Sequence, residues 1–372
     1  MKSTHYIWQS RKWPNFTWDN SRLLNQLGEC RRKQGMLLAK MLSLGLPYEQ
    51  QAHTDILFEE AMTTSAIEGE KLNPASVRSS IARKLGLPSA GLPVDCHTDG
   101  LIDILLDASQ NHSKPLTNKR LFGWHAALFP TGYSGLHKIR VGKWRGPEPM
   151  RVVSGKIGRE IVHYETVPYD RVDAEMELFL QWWHDGKEGM DGILRAAVAH
   201  FWFVTIHPFE DGNGRIARAL TDMALAHDDR QAHRYYSLSS QINAERESYY
   251  SILETTQKGA VGITAWLLWF LGCYSRGIDN SKKVMAAVLD KAAFWYRHAQ
   301  TQLSVRQRKV INKLLDAGNE EFSGELTNRK YASIAKVSRA TATRELQYLL
   351  DVGIIKRNPG KGRSVSYDVV WE

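Results

Sequence analysis

Residues 207–218, His-Pro-Phe-Glu-Asp-Gly-Asn-Gly-Arg-Ile-Ala-Arg, combine the side-chain types that phosphate chemistry requires. The Gly212-Asn213-Gly214 turn leaves backbone N–H groups uncovered ahead of a helix, and such groups bind anions. Arg215 and Arg218 are three residues apart, so both lie on the first turn of that helix. Because positive side chains there oppose the helix dipole, their presence indicates a polyphosphate ligand.

Two further residues of this segment indicate how a bound phosphate is used. Asp211 would repel a bare anion, but it can hold Mg²⁺ against the phosphates. His207, at the rim of the turn, is a candidate proton acceptor near neutral pH. A solvated surface turn explains each residue alone, but it does not require all of these types together.

Apolar periodicity predicts a mainly α-helical protein. The segment lies between helices predicted over Gly192–Ile206 and Ile216–His227, and Pro208 ends the first of them. Pro130–Gly146 is predicted as a loop, and Met150–Glu165 is the only hairpin predicted in the first 300 residues. Further helices are predicted over Leu23–Leu44, Tyr48–Ile67, Pro74–Leu85, Thr98–Gln110, Thr117–Phe129, Asp170–Asp185, Ala244–Lys258, Ile263–Arg276 and Lys282–Gln300.

A different order of elements begins near residue 301. It resembles a winged helix-turn-helix, whose third helix and basic wing, with Lys361, would bind DNA. Residues 301–372 hold thirteen Lys/Arg against eight Asp/Glu, an excess that suits either DNA or a solvated surface. Residues 305–369 are therefore the candidate DNA-binding region. The predicted helices are Val305–Ala317, Asn328–Lys336 and Arg339–Val352, and the predicted strands are Ile354–Arg357 and Ser364–Val369.

The composition is that of an ordinary globular protein. Of the 372 residues, 43% are hydrophobic and 24% charged, and the net charge is +9. Three widely spaced cysteines exclude a disulfide scaffold and a four-cysteine zinc site, and they indicate a reducing compartment. The best apolar runs, Ile193–Ile206 and Ile263–Tyr274, are too short or too polar to cross a membrane, and the N-terminus lacks a signal-peptide core. We therefore expect a cytoplasmic protein without a membrane partner.

Residues 207–218 are similar to the signature of the Fic family, His-Pro-Phe-x-Asp/Glu-Gly-Asn-Gly-Arg-x-x-Arg, at every specified position. The resemblance implies a helical Fic core with a β-hairpin flap, which Met150–Glu165 would form. It implies transfer of AMP from ATP to a Ser, Thr or Tyr hydroxyl of a target protein, with Mg²⁺ as the cofactor.

The resemblance also implies roles for single residues. His207 would be the catalytic base for the target hydroxyl, and Asp211 would bind Mg²⁺. Arg215 and Arg218 would neutralise the β- and γ-phosphates, Arg218 the outer one. The side chain of Asn213 would contact the phosphates as well. The other implied ATP-binding residues are Glu68, Val153, Gly212, Gly214, Ile216, Ala217, Tyr249 and Tyr250.

A second motif precedes the core. Residues 64–69, Thr-Ser-Ala-Ile-Glu-Gly, end a predicted helix, where the helix dipole disfavours a carboxylate. The motif resembles the inhibitory Ser/Thr-x-x-x-Glu-Gly/Asn sequence of many Fic proteins, through Thr64, Glu68 and Gly69. Glu68 would then pair bidentately with Arg218 and hold ATP in an unproductive pose.

Three domains are predicted: an N-terminal helical region with the inhibitory helix (1–112), a Fic catalytic core (113–300) and a winged helix (301–372). Three functions stay open: a protein adenylyltransferase, a transcription regulator that senses nucleotide, and an enzyme that also removes AMP. An intact His207 favours an enzyme, because a sensor needs no base. The sequence identifies neither the target protein nor whether the chain forms a homodimer.

Overall fold

The computed structural model describes residues 5–42, 46–87, 95–154, 161–185, 189–321, 325–359 and 365–371. The chain divides into two compact units, one of residues 1–41 and 53–281 and the other of residues 42–52 and 282–372. The predicted boundary at 112/113 therefore lies inside one unit. The second unit resumes at residue 282, which is before the predicted boundary at 300/301. No helix among the described residues has the length and apolar character needed to span a membrane.

The fold is mainly helical, as the sequence predicts. α7 is buried on every side from Ile193 to Ile206, and it packs against α8 in the core of the first unit. Asn73 caps the N-terminus of α3, because its Oδ1 accepts hydrogen bonds from Ala75 N (2.8 Å) and Ser76 N (3.3 Å). The first eleven helices are α1 (Asn20–Leu42), α2 (Leu46–Ile67), α3 (Pro74–Lys84), α4 (Cys96–Gln110), α5 (Asn118–Leu128), α6 (Val172–Asp185), α7 (Gly192–Ile206), α8 (Asn213–Asp229), α9 (Leu238–Ala244), α10 (Arg246–Gln257) and α11 (Thr264–Arg297).

Two of these helices differ from the sequence prediction. α11 is continuous through residues predicted to separate two helices, because Ile278 is fully buried there and Ser281 Oγ bonds to the Gly277 carbonyl (2.9 Å). α9 was not predicted, because seven residues are too few to show helical periodicity. Ser237 caps its N-terminus, because the Ser237 hydroxyl accepts a hydrogen bond from Ser240 N (3.0 Å).

Two antiparallel hairpins occur among the described residues of the first unit. β3 (Arg151–Ser154) pairs with β4 (Ile161–Glu165) in the predicted flap, whose Gly155–Gly158 turn lies outside the described residues. β1 (Tyr133–Ser134) pairs with β2 (His137–Lys138) inside the predicted loop. The prediction of a single hairpin in the first 300 residues is therefore wrong, because two-residue strands are too short to produce a readable alternation.

The described part of the second unit has three further helices and a two-stranded sheet around its own core. The core includes Tyr331, Ala342 and Leu346. This order is the one that a winged helix requires, but the wing residue Lys361 lies outside the described residues, so the winged helix stays a prediction. The elements are α12 (Val305–Glu321), α13 (Asn328–Ala335), α14 (Arg339–Asp351), β5 (Ile355–Arg357) and β6 (Tyr367–Val369).

Candidate active site

The candidate active site is the loop between α7 and α8. His207 ends α7 in the left-handed conformation, with φ of 56° and ψ of 60°. Such backbone strain costs about 1–3 kcal/mol at a non-glycine residue, so the surrounding contacts impose it. Gly212 precedes α8 with φ of 81°, and a Cβ there would come within 2.9 Å of the Phe129 ring. Two left-handed residues therefore turn the chain back into α8.

The side chain of Asn213 closes this loop. Its Oδ1 accepts a hydrogen bond from Phe209 N (2.9 Å), and its Nδ2 donates to the Phe209 carbonyl (2.8 Å). The Phe209 ring is fully buried and stacks on His125, with 4.2 Å between ring centroids. The Asn213 amide, expected to contact phosphate, is thus engaged within the loop, and the backbone N–H groups are the candidate phosphate ligands.

The start of α8 leaves such N–H groups uncovered. The first i→i−4 hydrogen bond runs from Ile216 N to the Gly212 carbonyl (3.0 Å), so the N–H groups of Gly214 and Arg215 precede it. The sequence also predicts ATP contacts for Ile216 and Ala217. Both side chains are fully buried and pack α8 into the core, and their contact with ATP stays a prediction.

His207 has the tautomer and the charge state of a base. Its Nδ1 lies 3.2 Å from the Val204 carbonyl, and because a carbonyl only accepts, Nδ1 carries the proton and Nε2 holds the lone pair. Burial lowers the pKa of His207, and the Val204 hydrogen bond and the charges of Glu68 and Asp211 partly oppose this shift. The imidazole is therefore neutral at pH 7.

Arg145 holds the turn at His207, although the sequence analysis does not single it out. Its Nε donates to the His207 carbonyl (2.9 Å), and its backbone N–H donates to the Pro208 carbonyl (2.9 Å). Its Nη2 donates to the Val167 carbonyl, which follows β4. In the sequence it is one of several basic residues in a glycine-rich loop, and only its burial distinguishes it.

Arg218 is 2% exposed, and the segment at the end of α2 covers it. Its Nη2 donates to Glu68 Oε1 (2.7 Å) and to the Thr64 carbonyl (2.9 Å), and its Nε donates to Thr64 Oγ1 (2.6 Å). The expected bidentate pair is therefore a single-nitrogen contact, because Thr64 occupies the Nε edge. Among the described residues, Arg218 Nη1 has no hydrogen-bond partner.

Arg215 is 6% exposed and pairs with Glu70, a residue that the sequence analysis missed. Arg215 Nη1 lies 2.8 Å from both carboxylate oxygens of Glu70. Both predicted phosphate-binding arginines thus contact carboxylates from the segment that follows α2. In the sequence, the acidic residue directly after Gly69 could have indicated this pair, but the inhibitory motif does not specify position 70.

Asp211 is the candidate metal ligand. Its Oδ2 accepts a hydrogen bond from the Ser134 hydroxyl, and its side chain is 42% exposed. The described residues contain no cluster of three or more His, Cys, Asp or Glu that could hold a metal by themselves. One accessible carboxylate fits Mg²⁺ that takes its remaining ligands from nucleotide phosphates and water.

The two predicted adenosine-contacting tyrosines have different environments. Tyr249 is buried, and its hydroxyl lies 2.8 Å from His200 Nε2. Its hydroxyl is thus engaged in the core, which leaves the predicted ATP contact without support. Tyr250 is 39% exposed, and its hydroxyl donates to the Ile67 carbonyl (3.3 Å) at the end of α2. Tyr250 is therefore the member of the pair that a ligand can reach.

The β3–β4 hairpin is anchored beside the end of α7. The Tyr164 hydroxyl donates to the Thr205 carbonyl (2.8 Å), two residues before His207. His163 Nδ1 lies 2.7 Å from Glu254 on α10. Val153 on β3 is 48% exposed, so its side chain is accessible to a ligand or a target segment.

Comparison with known proteins adds family information. Residues 115–225 match the Fic/DOC family, and residues 6–87 match a domain of unknown function, DUF4172. A protein adenylyltransferase Fic from Nematostella vectensis is 24% identical over 233 residues, which cover 59% of this chain and 50% of the relative. One from Drosophila ananassae is 25% identical over 235 residues, which cover 62% and 42%. The chain thus spans half or less of the length of these curated relatives.

Solved structures share the fold. A Fic family protein from Desulfovibrio desulfuricans G20 superposes with a TM-score of 0.56 at 19% identity, covering 94% of this chain and 95% of that chain. A Fic domain containing signaling protein from Bacteroides thetaiotaomicron superposes with a TM-score of 0.50 at 21% identity, covering 70% and 97%. Residues 115–225 therefore form a Fic domain, and the solved structures share its fold.

Proposed function

We propose that this protein transfers AMP from ATP to a Ser, Thr or Tyr hydroxyl of a target protein. The observation that carries the proposal is the loop over 207–218, which has a neutral histidine at one end and two buried arginines at the other. Similarity to proteins named protein adenylyltransferase supports AMP transfer at the level of the family.

The nucleotide phosphates would bind at the N-terminus of α8. The N–H groups of Gly214 and Arg215 and the positive end of the helix dipole attract anions there. Arg218 Nη1 is a buried donor that a phosphate oxygen would satisfy. Asp211 would hold Mg²⁺, which neutralises phosphate charge when bound.

His207 would start the transfer. Its Nε2 accepts the proton of the target hydroxyl while the hydroxyl oxygen forms a bond to the α-phosphorus of ATP. The bond from the α-phosphorus to the oxygen bridging to the β-phosphate breaks, and pyrophosphate leaves. Arg145 maintains the direction of the imidazole by holding the His207 carbonyl. Correct positioning and charge stabilisation dominate such transfers.

Glu68 would inhibit this reaction by competing for Arg218. A Cβ at Gly214 would overlap Glu68 Oε1, so the carboxylate lies directly against the proposed phosphate loop. A buried arginine left without a partner is costly, which makes Glu68 a stabilising occupant until a phosphate replaces it. ATP that enters beside Glu68 would have a displaced γ-phosphate and a poorly aligned α-phosphorus.

The test uses the full chain with ATP labelled at the α-phosphorus, Mg²⁺ and a cell lysate. Label should pass to protein, more strongly with Glu68→Gly, and should disappear with Glu68→Gly/His207→Ala. A parallel reaction with ATP labelled at the γ-phosphorus is the control, and there the added protein should not increase the labelling above that of the lysate alone. A γ-label that increases with Glu68→Gly, or full α-labelling by the double variant, would contradict the proposal.

A nucleotide-sensing transcription regulator is the second candidate. Arg339, Arg344 and Gln347 are exposed on α14, the proposed DNA-recognition helix. ATP binding without any transfer in the same experiment, together with nucleotide-dependent DNA binding, would favour this alternative.

A further inference from the structure

We propose, resting on the function proposed above, that Glu70 is a second inhibitory carboxylate. Glu68 would occupy Arg218, the arginine for the γ-phosphate, while Glu70 occupies Arg215, the arginine for the β-phosphate. The segment after α2 would therefore close both outer phosphate positions, and each carboxylate would oppose a different part of the nucleotide.

The end of α2 explains why two carboxylates meet two arginines. Glu70 N donates to the Ser65 carbonyl (3.0 Å), and Gly69 N donates to the Ala66 carbonyl (3.0 Å), which is the Schellman pattern of a helix end. Gly69 has φ of 83°, the left-handed value that this pattern requires. The reversal at Gly69 presents Glu68 and Glu70 to one partner helix.

The spacing on the partner helix matches this presentation. Arg215 and Arg218 are three residues apart on α8 and therefore lie on one face. Glu68 lies 2.7 Å from Arg218, and Glu70 lies 2.8 Å from Arg215. A substitution at either carboxylate thus removes one pair and leaves the other in place. Arg215 then keeps the longer contact of its Nη2 with Asp211 Oδ1 (3.8 Å), and Arg218 keeps its hydrogen bonds to Thr64.

The Glu70 carboxylate has features that allow a phosphate to displace it from Arg215. Both Glu70 oxygens share Arg215 Nη1, so the pair uses one donor. The guanidinium carbon lies 5.1 Å from the Phe129 ring centroid, which helps to hold the arginine when its partner changes. Glu70 is 45% exposed, against 30% for Glu68, so water can take up its charge when a phosphate displaces it.

A series of nucleotides separates the two carboxylates. AMP has no β-phosphate and should compete with neither, ADP should compete with Glu70, and ATP should compete with both. We therefore expect Glu70→Gln to increase the affinity for ADP and ATP at least about threefold, with AMP affinity unchanged, as fits a partly exposed charged pair. Glu68→Gln should increase the affinity for ATP and leave ADP affinity unchanged.

The experiment is calorimetric titration of the full chain with AMP, ADP and ATP in the presence of Mg²⁺. Glu177→Gln, an exposed carboxylate on α6, is the matched control for the loss of one negative charge. Glu70→Ala is a second variant that should repeat the Glu70→Gln result. Melting temperatures without nucleotide verify that each variant is folded.

The outcomes separate the two proposals. ADP affinity within twofold of the wild type in both Glu70 variants, with tighter ATP binding by Glu68→Gln, would overturn the role of Glu70 and leave the proposed function intact. An equal gain in AMP affinity would also overturn it, because the β-phosphate would then be irrelevant. Failure of every variant to bind any nucleotide would overturn the proposed function itself.

Discussion

The arginines of α8 and those of α14 differ in burial and in partners. Arg215 and Arg218 on α8 are almost fully buried and face carboxylates of residues 64–70, whereas Arg339 and Arg344 on α14 are exposed. A buried arginine requires a partner in every state, so a ligand must replace an internal carboxylate. An exposed arginine attracts a DNA phosphate by charge, and binding releases counterions from the DNA. The burial of the α8 arginines therefore allows carboxylates of the same chain to regulate ligand binding there. The exposure of the α14 arginines makes any DNA binding by α14 sensitive to salt.

The largest effect should come from the base beside the α8 arginines. His207→Ala should lower the rate of AMP transfer about 10²- to 10⁴-fold, the usual contribution of a general base. ATP affinity should stay unchanged, because the imidazole acts on the target hydroxyl. Transfer rates and ATP titrations check both statements, and His137→Ala, an exposed histidine on β2, is the control. Near-normal transfer by His207→Ala would contradict the assignment.

A smaller effect, in the opposite direction, should come from removing the internal partner of Arg218. Glu68→Gly should raise AMP transfer, including self-modification, at least about tenfold, because a charge-assisted contact of about 1.5–3 kcal/mol is lost. The initial rate of label incorporation measures the effect. Glu177→Gln should not change it. A rate at or below that of the wild type in folded Glu68→Gly would remove the inhibitory role from Glu68.

The sequence could predict structural features whose residues lie close together in the chain. The turn around Gly212, the arginine pair and the helix end at Gly69 depend on residues a few positions apart, and the structure contains all three. Glu70 could not be predicted as the partner of Arg215, because 145 positions separate them in the chain. Only the packing of the folded protein brings such residues together.

Burial was the second feature that the sequence did not reveal. Tyr249 and Tyr250 are adjacent and identical in type, but the first bonds to buried His200 and the second is partly exposed. Arg145 looks like its basic neighbours until its contacts with the His207 turn are known. Residue type indicates what a side chain can do, whereas tertiary packing decides whether a ligand can reach it.

The exposed arginines of α14 provide the contrasting experiment. The full chain should be retained on duplex DNA at low salt, with affinity that falls steeply as salt increases. Arg339→Glu/Arg344→Glu should weaken binding by about tenfold at low salt, because two phosphate contacts become repulsive. Arg11→Glu/Lys12→Glu, which reverses two exposed charges outside residues 305–369, is the matched control. No retention of the wild type would indicate a protein partner for residues 305–369.

Substitution of Gly69 should weaken the contact between Glu68 and Arg218 on α8 through a change in backbone conformation alone. A Cβ at Gly69 meets no atom within 4 Å, but the φ of 83° is unfavourable for alanine by about 1 kcal/mol. Gly69→Ala should therefore loosen the segment that carries Glu68 and raise transfer about fivefold or less. Initial rates beside Glu68→Gly measure the effect. A gain larger than that of Glu68→Gly would show that the inhibition does not depend on the Glu68 charge.

The smallest expected effect is on the pH dependence of AMP transfer, and it distinguishes α8 from α14. In the proposed mechanism the neutral form of His207 is the active one, and burial lowers its pKa below 6.5. Half of the His207 side chains are therefore protonated only at a pH below 6.5, so at pH 6.5 the rate should exceed half of its plateau. Because the Glu68 charge raises this pKa, Glu68→Gly should shift the loss of activity to still lower pH.

The measurement is kcat/KM of the wild type and of Glu68→Gly from about pH 5 to about pH 8, with DNA retention followed over the same range. Arginine does not titrate there, so DNA binding that depends on Arg339 and Arg344 should stay constant while transfer falls. A half-maximal rate at or above pH 6.5 would contradict the lowered pKa of His207. Loss of DNA retention at the same pH as transfer would contradict the division of roles between α8 and α14.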